Sequence, residues 1–159
     1  MTQSPVTSAS HVLETKWDGT LPIDPVAIAE ALGAVVKPDK TIAPASGTFC
    51  YEQGAPVIRY NPNDPVVRQR FTIAHEIGHM VLGHVKAGEL AHRDTSFDSS
   101  TPNEVAANAF AAQLLMPADV VSMVLRLLPP GHRSVNALSR KLWVSEQAMG
   151  FRLNALGIK

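Results

Sequence analysis

Residues 61–83 read Asn-Pro-Asn-Asp-Pro-Val-Val-Arg-Gln-Arg-Phe-Thr-Ile-Ala-His-Glu-Ile-Gly-His-Met-Val-Leu-Gly. The stretch carries its own boundaries. Asp64 is of a type that caps helices, Pro65 fits a first helical position, and Gly83 is a common stop. Between them Phe71, Ala74, Gly78, Val81 and Leu82 recur at helical spacing, which predicts a long helix packed against a core. His75 and His79 are four residues apart, about 40° of rotation, so both rings leave the same face. Two imidazoles so placed can grip one metal ion. Glu76, beside the first, is placed to act as general base in peptide hydrolysis. Burying His, Glu and His on a packed helix is costly unless something satisfies them, and a metal does.

Two histidines leave one protein ligand to find. One large class of zinc peptidases continues the motif with a glycine three residues on and a third histidine three after that. Leu82 and Val85 stand at those positions here. On a continuous helix His84 lies about 180° from His75 and cannot complete the pattern. The missing ligand must come from another segment, and Glu104 is the candidate. It opens a helix that continues Val105, Ala106, Ala107, Asn108, Ala109, Phe110, Ala111, Ala112, Gln113, Leu114 and Leu115, which is apolar enough to be buried. Asn108 shares a face with Glu104, and a hydrogen bond to a ligand histidine would satisfy its amide. A second reading stays open: Thr101-Pro102-Asn103-Glu104 also matches a capping box, in which Glu104 only satisfies backbone N–H groups.

Working outward from these two helices, residues 34–60 read as β structure. Ala34-Val35-Val36 is a short strand stopped by Pro38. Gly47–Tyr51 and Pro56–Tyr60 flank a turn at Glu52-Gln53-Gly54 and can pair as a hairpin. Asp24-Pro25 opens a helix that Gly33 ends. Residues 1–20 are small and polar and are expected to be a flexible lead-in. Residues 86–101 read as loop. A helix is expected over 118–128, broken by Pro129-Pro130-Gly131, and two short ones over 134–141 and 145–156. This predicts an α+β fold: a small mixed sheet packed on a helical bundle, a core over 21–128, and a C-terminal helix-turn-helix-like segment over 129–159 packed on it.

The bulk properties exclude several classes. Fourteen basic and fourteen acidic side chains cancel, so the chain has no overall electrostatic reason to seek nucleic acid or an anionic membrane. The lone Cys50 cannot form an intrachain disulfide. The first ten residues hold no Lys, Arg or apolar block, unlike a standard secretory signal. The longest apolar stretch, Val120 to Leu128, is short and contains Arg126. A soluble cytoplasmic protein is expected.

Several segments together resemble the ImmA/IrrE metallopeptidase family. They are Arg68 to His79, then Glu104 with Ala107 to Ala112 and Leu114-Leu115-Met116-Pro117, and finally Val144 to Met149 with Arg152-Leu153. The likeness spans roughly residues 21–157. It implies a zincin-like fold, His75, His79 and Glu104 as zinc ligands, and Glu76 as catalytic base. The same ligand types also accept manganese. It implies as well a protein substrate, a helix-turn-helix transcriptional repressor whose cleavage relieves repression under stress. Many members carry Glu two residues before the Asn, where this chain has Ala106.

Other residues suit smaller roles. Tyr51, Tyr60, His84, His92 and Arg93 are candidates to stabilise a tetrahedral oxyanion. The strand Gly47–Tyr51 could pair with an extended substrate. Cys50 reads as a small hydrophobe, and Met116, Met123 and Met149 as core. Arg133, Arg140, Lys141, Arg152 and Lys159 outnumber Glu146 in the tail, so DNA contact is conceivable there. Trp143, Val144, Met149, Phe151 and Leu153 more simply suggest packing or repressor docking. Two alternatives to an active peptidase are a catalytically silent zinc fold that sequesters a repressor and a DNA-binding regulator.

Overall fold

A computed structural model describes residues 3–85, 92–94 and 101–158. Its architecture is α+β. The elements run α1 (Pro5–Lys16), α2 (Pro25–Ala31), β1 (Val35–Pro38), β2 (Gly47–Glu52), β3 (Ala55–Tyr60), α3 (Val66–Val81), β4 (His92–Asp94), α4 (Pro102–Leu115), α5 (Ala118–Leu127), α6 (Val135–Leu142) and α7 (Glu146–Ala155).

The sheet has the order β1-β3-β2-β4. Gln53 and Gly54 join β2 to β3 with φ of 52° and 81°. Two left-handed residues are what a two-residue hairpin of matching twist needs. β1 runs parallel to β3, in register Val35 with Val57. Phe49 and Ile58 are cross-strand partners, both fully buried. They turn the sheet's inner face onto α3, whose Ile73, Ala74 and Ile77 belong to the same core cluster. β4 pairs antiparallel with β2 at Gly47, Thr48 and Phe49. The strand expected to receive an extended substrate is therefore paired by β3 along one whole edge and by β4 along half of the other. The rest of the expected 86–101 loop, 86–91 and 95–100, lies outside the described residues.

The lead-in expected over 1–20 is instead largely helix. Ser4 caps α1, its Oγ accepting from the Thr7 amide at 3.1 Å, and Pro5 follows at the first helical position. Ala9, Val12 and Leu13, spaced three and four apart, are buried in the core. α1 lies along α4, where Gln113 Nε2 donates to Ser10 Oγ at 3.0 Å. Burying Val12 and Leu13 is worth about 1.5–3 kcal/mol each, enough to hold a segment rich in Ser and Thr. α3 starts one residue later than the sequence suggests, because Pro65 stays extended at ψ 148° and serves as the cap position itself.

The stretch from Pro102 to Leu127 contains an 18-residue window of mean hydropathy 1.4, long and apolar enough to cross a membrane by composition alone. Here it is two helices broken at Met116-Pro117, with 56% of the apolar window buried inside the fold. Its apolarity is spent on the core: Phe110, Ala111, Leu114 and Leu115 are fully buried. Of the methionine stripe, Met116 and Met149 are core, while Met123 is exposed. Cys50 is half-buried.

Two buried arginines fasten α6 and α7 to the rest. Arg70 of α3 donates to the carbonyls of Trp143 (2.9 Å), Leu142 (3.4 Å) and Ile23 (2.7 Å), and its guanidinium lies 4.9 Å from the Trp143 ring centre. Arg152 of α7 donates to Met116 O at 2.9 Å and also to Gln113 Oε1. Burial pushes both guanidinium pKa values down, so each charge depends on those acceptors. Arg152 is therefore not available to DNA, and Arg133 donates to Leu128 O at 3.0 Å. The basic excess of the tail is thus partly structural. Val144, Met149 and Leu153 pack inward, whereas Trp143 and Phe151 are exposed.

Candidate metal centre

Two close approaches build the site. Within α3, His75, Glu76 and His79 are all 0% exposed. Over them lies the start of β2. A Cβ on Gly47 would stand 2.4 Å from Thr72 Cγ2 and 3.2 Å from Glu76 Oε1, so a glycine is needed for the strand to lie on the Glu76 turn. On the other side α4 crosses α3 at Gly78. A Cβ there would sit 3.2 Å from Ala107 Cα and 3.2 Å from Phe110 Cβ. That contact brings Glu104, one turn before Ala107, up to the two histidines.

The geometry of the cluster is tight. His75 Nε2 lies 3.0 Å from His79 Nε2 and 3.1 Å from Glu104 Oε2, and His79 Nε2 lies 3.2 Å from Glu104 Oε1. Behind the cluster, His75 Nδ1 lies 2.8 Å from Asn108 Oδ1. An amide oxygen only accepts, so His75 Nδ1 is the donor of this pair, and a neutral His75 turns its Nε2 lone pair toward the carboxylate. With both rings bare at Nε2, lone pairs of two imidazoles and a carboxylate converge on one point, which is repulsive unless a proton or a metal cation stands among them. The donor set suits a divalent ion. Tetrahedral zinc with ligands at 2.0–2.1 Å needs donor atoms about 3.3–3.4 Å apart, close to the distances found.

The capping-box reading of Glu104 is half present. Thr101 Oγ1 accepts from the Glu104 amide at 3.2 Å. Both carboxylate oxygens stand at the histidines. The backbone of Glu104 thus belongs to the cap and its side chain to the cluster.

Among the oxyanion candidates the outcomes differ. Tyr51 packs edge-on against Phe49, ring centres 5.3 Å apart. Tyr60 lines a separate cavity of about 460 Å³ with Asp24, Arg70 and Trp143. His92 and Arg93 lie on β4, and their side chains fall outside the described residues. His84 is brought to the centre: its Nδ1 lies 2.9 Å from His79 Nδ1. The helical extrapolation that placed it opposite His75 fails because the helix ends before it. Gly83, at φ 74°, was the available signal.

Comparison with known proteins points to a peptidase family. The family profile described as IrrE N-terminal-like domain, of a peptidase family, matches residues 29–154. Over 97 residues the chain is 35% identical to the radiation response metalloprotease IrrE of Deinococcus deserti, a match covering 60% of this chain and 34% of that protein. The chain thus matches about a third of the length of this relative. The matched region contains α3 and α4 entire, and with them every residue of the cluster: the chain belongs to the peptidase family of the IrrE N-terminal-like domain.

Proposed function

We propose that this protein is a zinc-dependent endopeptidase. The observation that carries the reading is the convergence of His75 Nε2, His79 Nε2 and the Glu104 carboxylate within 3.0–3.2 Å of one another. These three would hold the ion. When bound, zinc supplies Lewis acidity, polarising the scissile carbonyl and making water easier to deprotonate. The protein's own part falls to Glu76, which follows His75 on α3 and faces the glycine backbone at the start of β2. Its carboxylate takes the proton of the attacking water and returns it to the leaving amine. Asn108 orients His75. The buried, close-packed surroundings keep these groups in place before substrate arrives.

The substrate we propose is a helix-turn-helix transcriptional repressor, cleaved under stress so that its target genes are released. This rests on the resemblance to the ImmA/IrrE peptidases. The test is incubation of the zinc-loaded protein with a repressor encoded beside its gene, wild type against Glu76→Gln. The wild type should cut the repressor at a defined peptide bond. Glu76→Gln should bind zinc equally well and lose about 10²–10⁴-fold in rate, the usual contribution of a general base. Cleavage by Glu76→Gln at the wild-type rate would refute the mechanism. Intact repressor in tight complex with the zinc-loaded wild type would favour a silent, sequestering protein.

A further inference from the structure

The end of α3 is built so that it reaches back to the metal centre. Leu82 is the last αR residue, and Gly83 takes φ 74°. The Gly83 amide donates to Met80 O at 3.2 Å and the His84 amide to His79 O at 2.9 Å. These are the two bonds of a Schellman motif, which pairs the residue two beyond the cap with the residue three before it. An apolar contact usually joins that pair. Here the pair is His84 and His79, ring centres 5.1 Å apart at 65°, with their Nδ1 atoms 2.9 Å apart. Buried Val85 follows immediately and anchors the turn in the core.

We propose that His84 is a positioning residue for the metal centre, its Nδ1 accepting the Nδ1–H of His79 and so holding the His79 Nε2 lone pair toward the ion. This rests on the reading of His75, His79 and Glu104 as ligands. The proton inventory allows one consistent assignment. His79 must leave Nε2 bare to bind a metal, so its proton is on Nδ1 and needs an acceptor. The atom it faces is His84 Nδ1, which accepts only when His84 carries its own proton on Nε2. Each ligand histidine then has its acceptor: Asn108 Oδ1 for His75 at 2.8 Å, His84 Nδ1 for His79 at 2.9 Å. The first comes from a different helix and the second from the ligand helix's own terminus. His84 is not itself a ligand, because it meets His79 on the nitrogen that faces away from the Glu104 carboxylate.

The discriminating pair is His84→Phe, which keeps a ring without an acceptor, and His84→Asn, whose Oδ1 sits the same number of bonds from Cα as the histidine Nδ1. Zinc affinity is read by competition with a chromophoric chelator, with no substrate needed. His84→Phe should bind zinc about 10–100-fold more weakly, the usual effect of removing such a partner, and His84→Asn should stay within roughly threefold of wild type. Equal weakening of both variants overturns the proposal, since the ring rather than the acceptor would then matter. Wild-type affinity in His84→Phe overturns it too. His79→Ala run alongside separates the levels: if His79→Ala also keeps wild-type affinity, the metal reading itself is wrong. Nitrogen-15 spectra of the zinc-loaded wild type need no variant. They should show a His79 Nδ1–H protected from exchange and a His84 Nδ1 without a proton, and the reverse pattern overturns the assignment.

Discussion

Replacing Gly78 with alanine tests whether the contact between α3 and α4 sets the metal site. The added Cβ would stand 3.2 Å from Ala107 Cα, Phe110 Cβ and Phe110 Cδ1. Carbon atoms are comfortable at about 3.5–4.0 Å, so the helices must part by roughly 0.3–0.8 Å or the Phe110 ring must turn in a full core. Overpacking of this kind costs about 1–3 kcal/mol, while alanine in place of glycine inside a helix returns about 1 kcal/mol. The net effect on the metal-free protein is between nothing and about 2 kcal/mol, a fall in Tm of up to about 8 °C for a chain of this size. The effect on the site should be larger in proportion. Parting the helices would stretch the Glu104–histidine distances, now 3.1 and 3.2 Å, to roughly 3.4–4.0 Å, most of that range beyond the spacing of about 3.3–3.4 Å that tetrahedral zinc needs. Zinc affinity should fall tenfold or more, measured by chelator competition, with thermal melts of the metal-free protein alongside. If Gly78→Ala binds zinc as tightly as wild type and melts no lower, the helix contact does not set the ligand spacing and this reasoning fails.

Two further substitutions separate ligand chemistry from scaffolding. Glu104→Gln keeps the Thr101 cap and nearly the same shape, so metal-free stability should change by less than about 0.5 kcal/mol, while zinc affinity should fall by more than the hundredfold that outer partners cost. Unchanged affinity would assign Glu104 to the cap alone. Arg152→Met removes the charged bonds to Met116 O and Gln113. At about 1.5–3 kcal/mol for each such bond, a loss of at least about 3 kcal/mol and a Tm lower by at least roughly 6 °C are expected; a neutral result would mean that α7 is held by its apolar contacts alone.

The sequence shows most where a residue type has one purpose. Asp24-Pro25, the hairpin turn and the 75–79 spacing all appear in the structure within a residue or so of their expected places, because caps, left-handed turns and helical faces are local physics. Glu104 was legible as a candidate ligand or a cap, and in the structure its backbone amide meets Thr101 while its carboxylate stands at the two histidines. What escaped depends on distant partners. α1 is poor in strong apolar residues, and only its burial against α4 makes it a helix, although Ser4-Pro5 was a readable start signal. β4 is three residues long and takes its identity from the edge of β2. His84 was misplaced because helical geometry was extended past Gly83, the residue that ends it.

The C-terminal pair bears on the metal centre through Arg70. Arg70 lies on α3 five residues before His75, and its bonds reach Ile23 near one end of the chain and Leu142 and Trp143 near the other. Rotation of α3 about its axis would break these bonds while also turning His75 away from Asn108. A helix can be packed in several rotations if its neighbours are only oily. Hydrogen bonds from a desolvated guanidinium to three carbonyls admit very few, because each carbonyl left without its donor in the core costs about 1–3 kcal/mol. His75 and His79 on α3 are therefore fixed from three directions: by Gly78 against α4, by Gly47 of β2 lying over the Glu76 turn, and by Arg70 into the tail. Removing α6 and α7 would free the Arg70 guanidinium inside the core and loosen the helix that carries His75 and His79. The tail thus belongs to the same physical unit as the site.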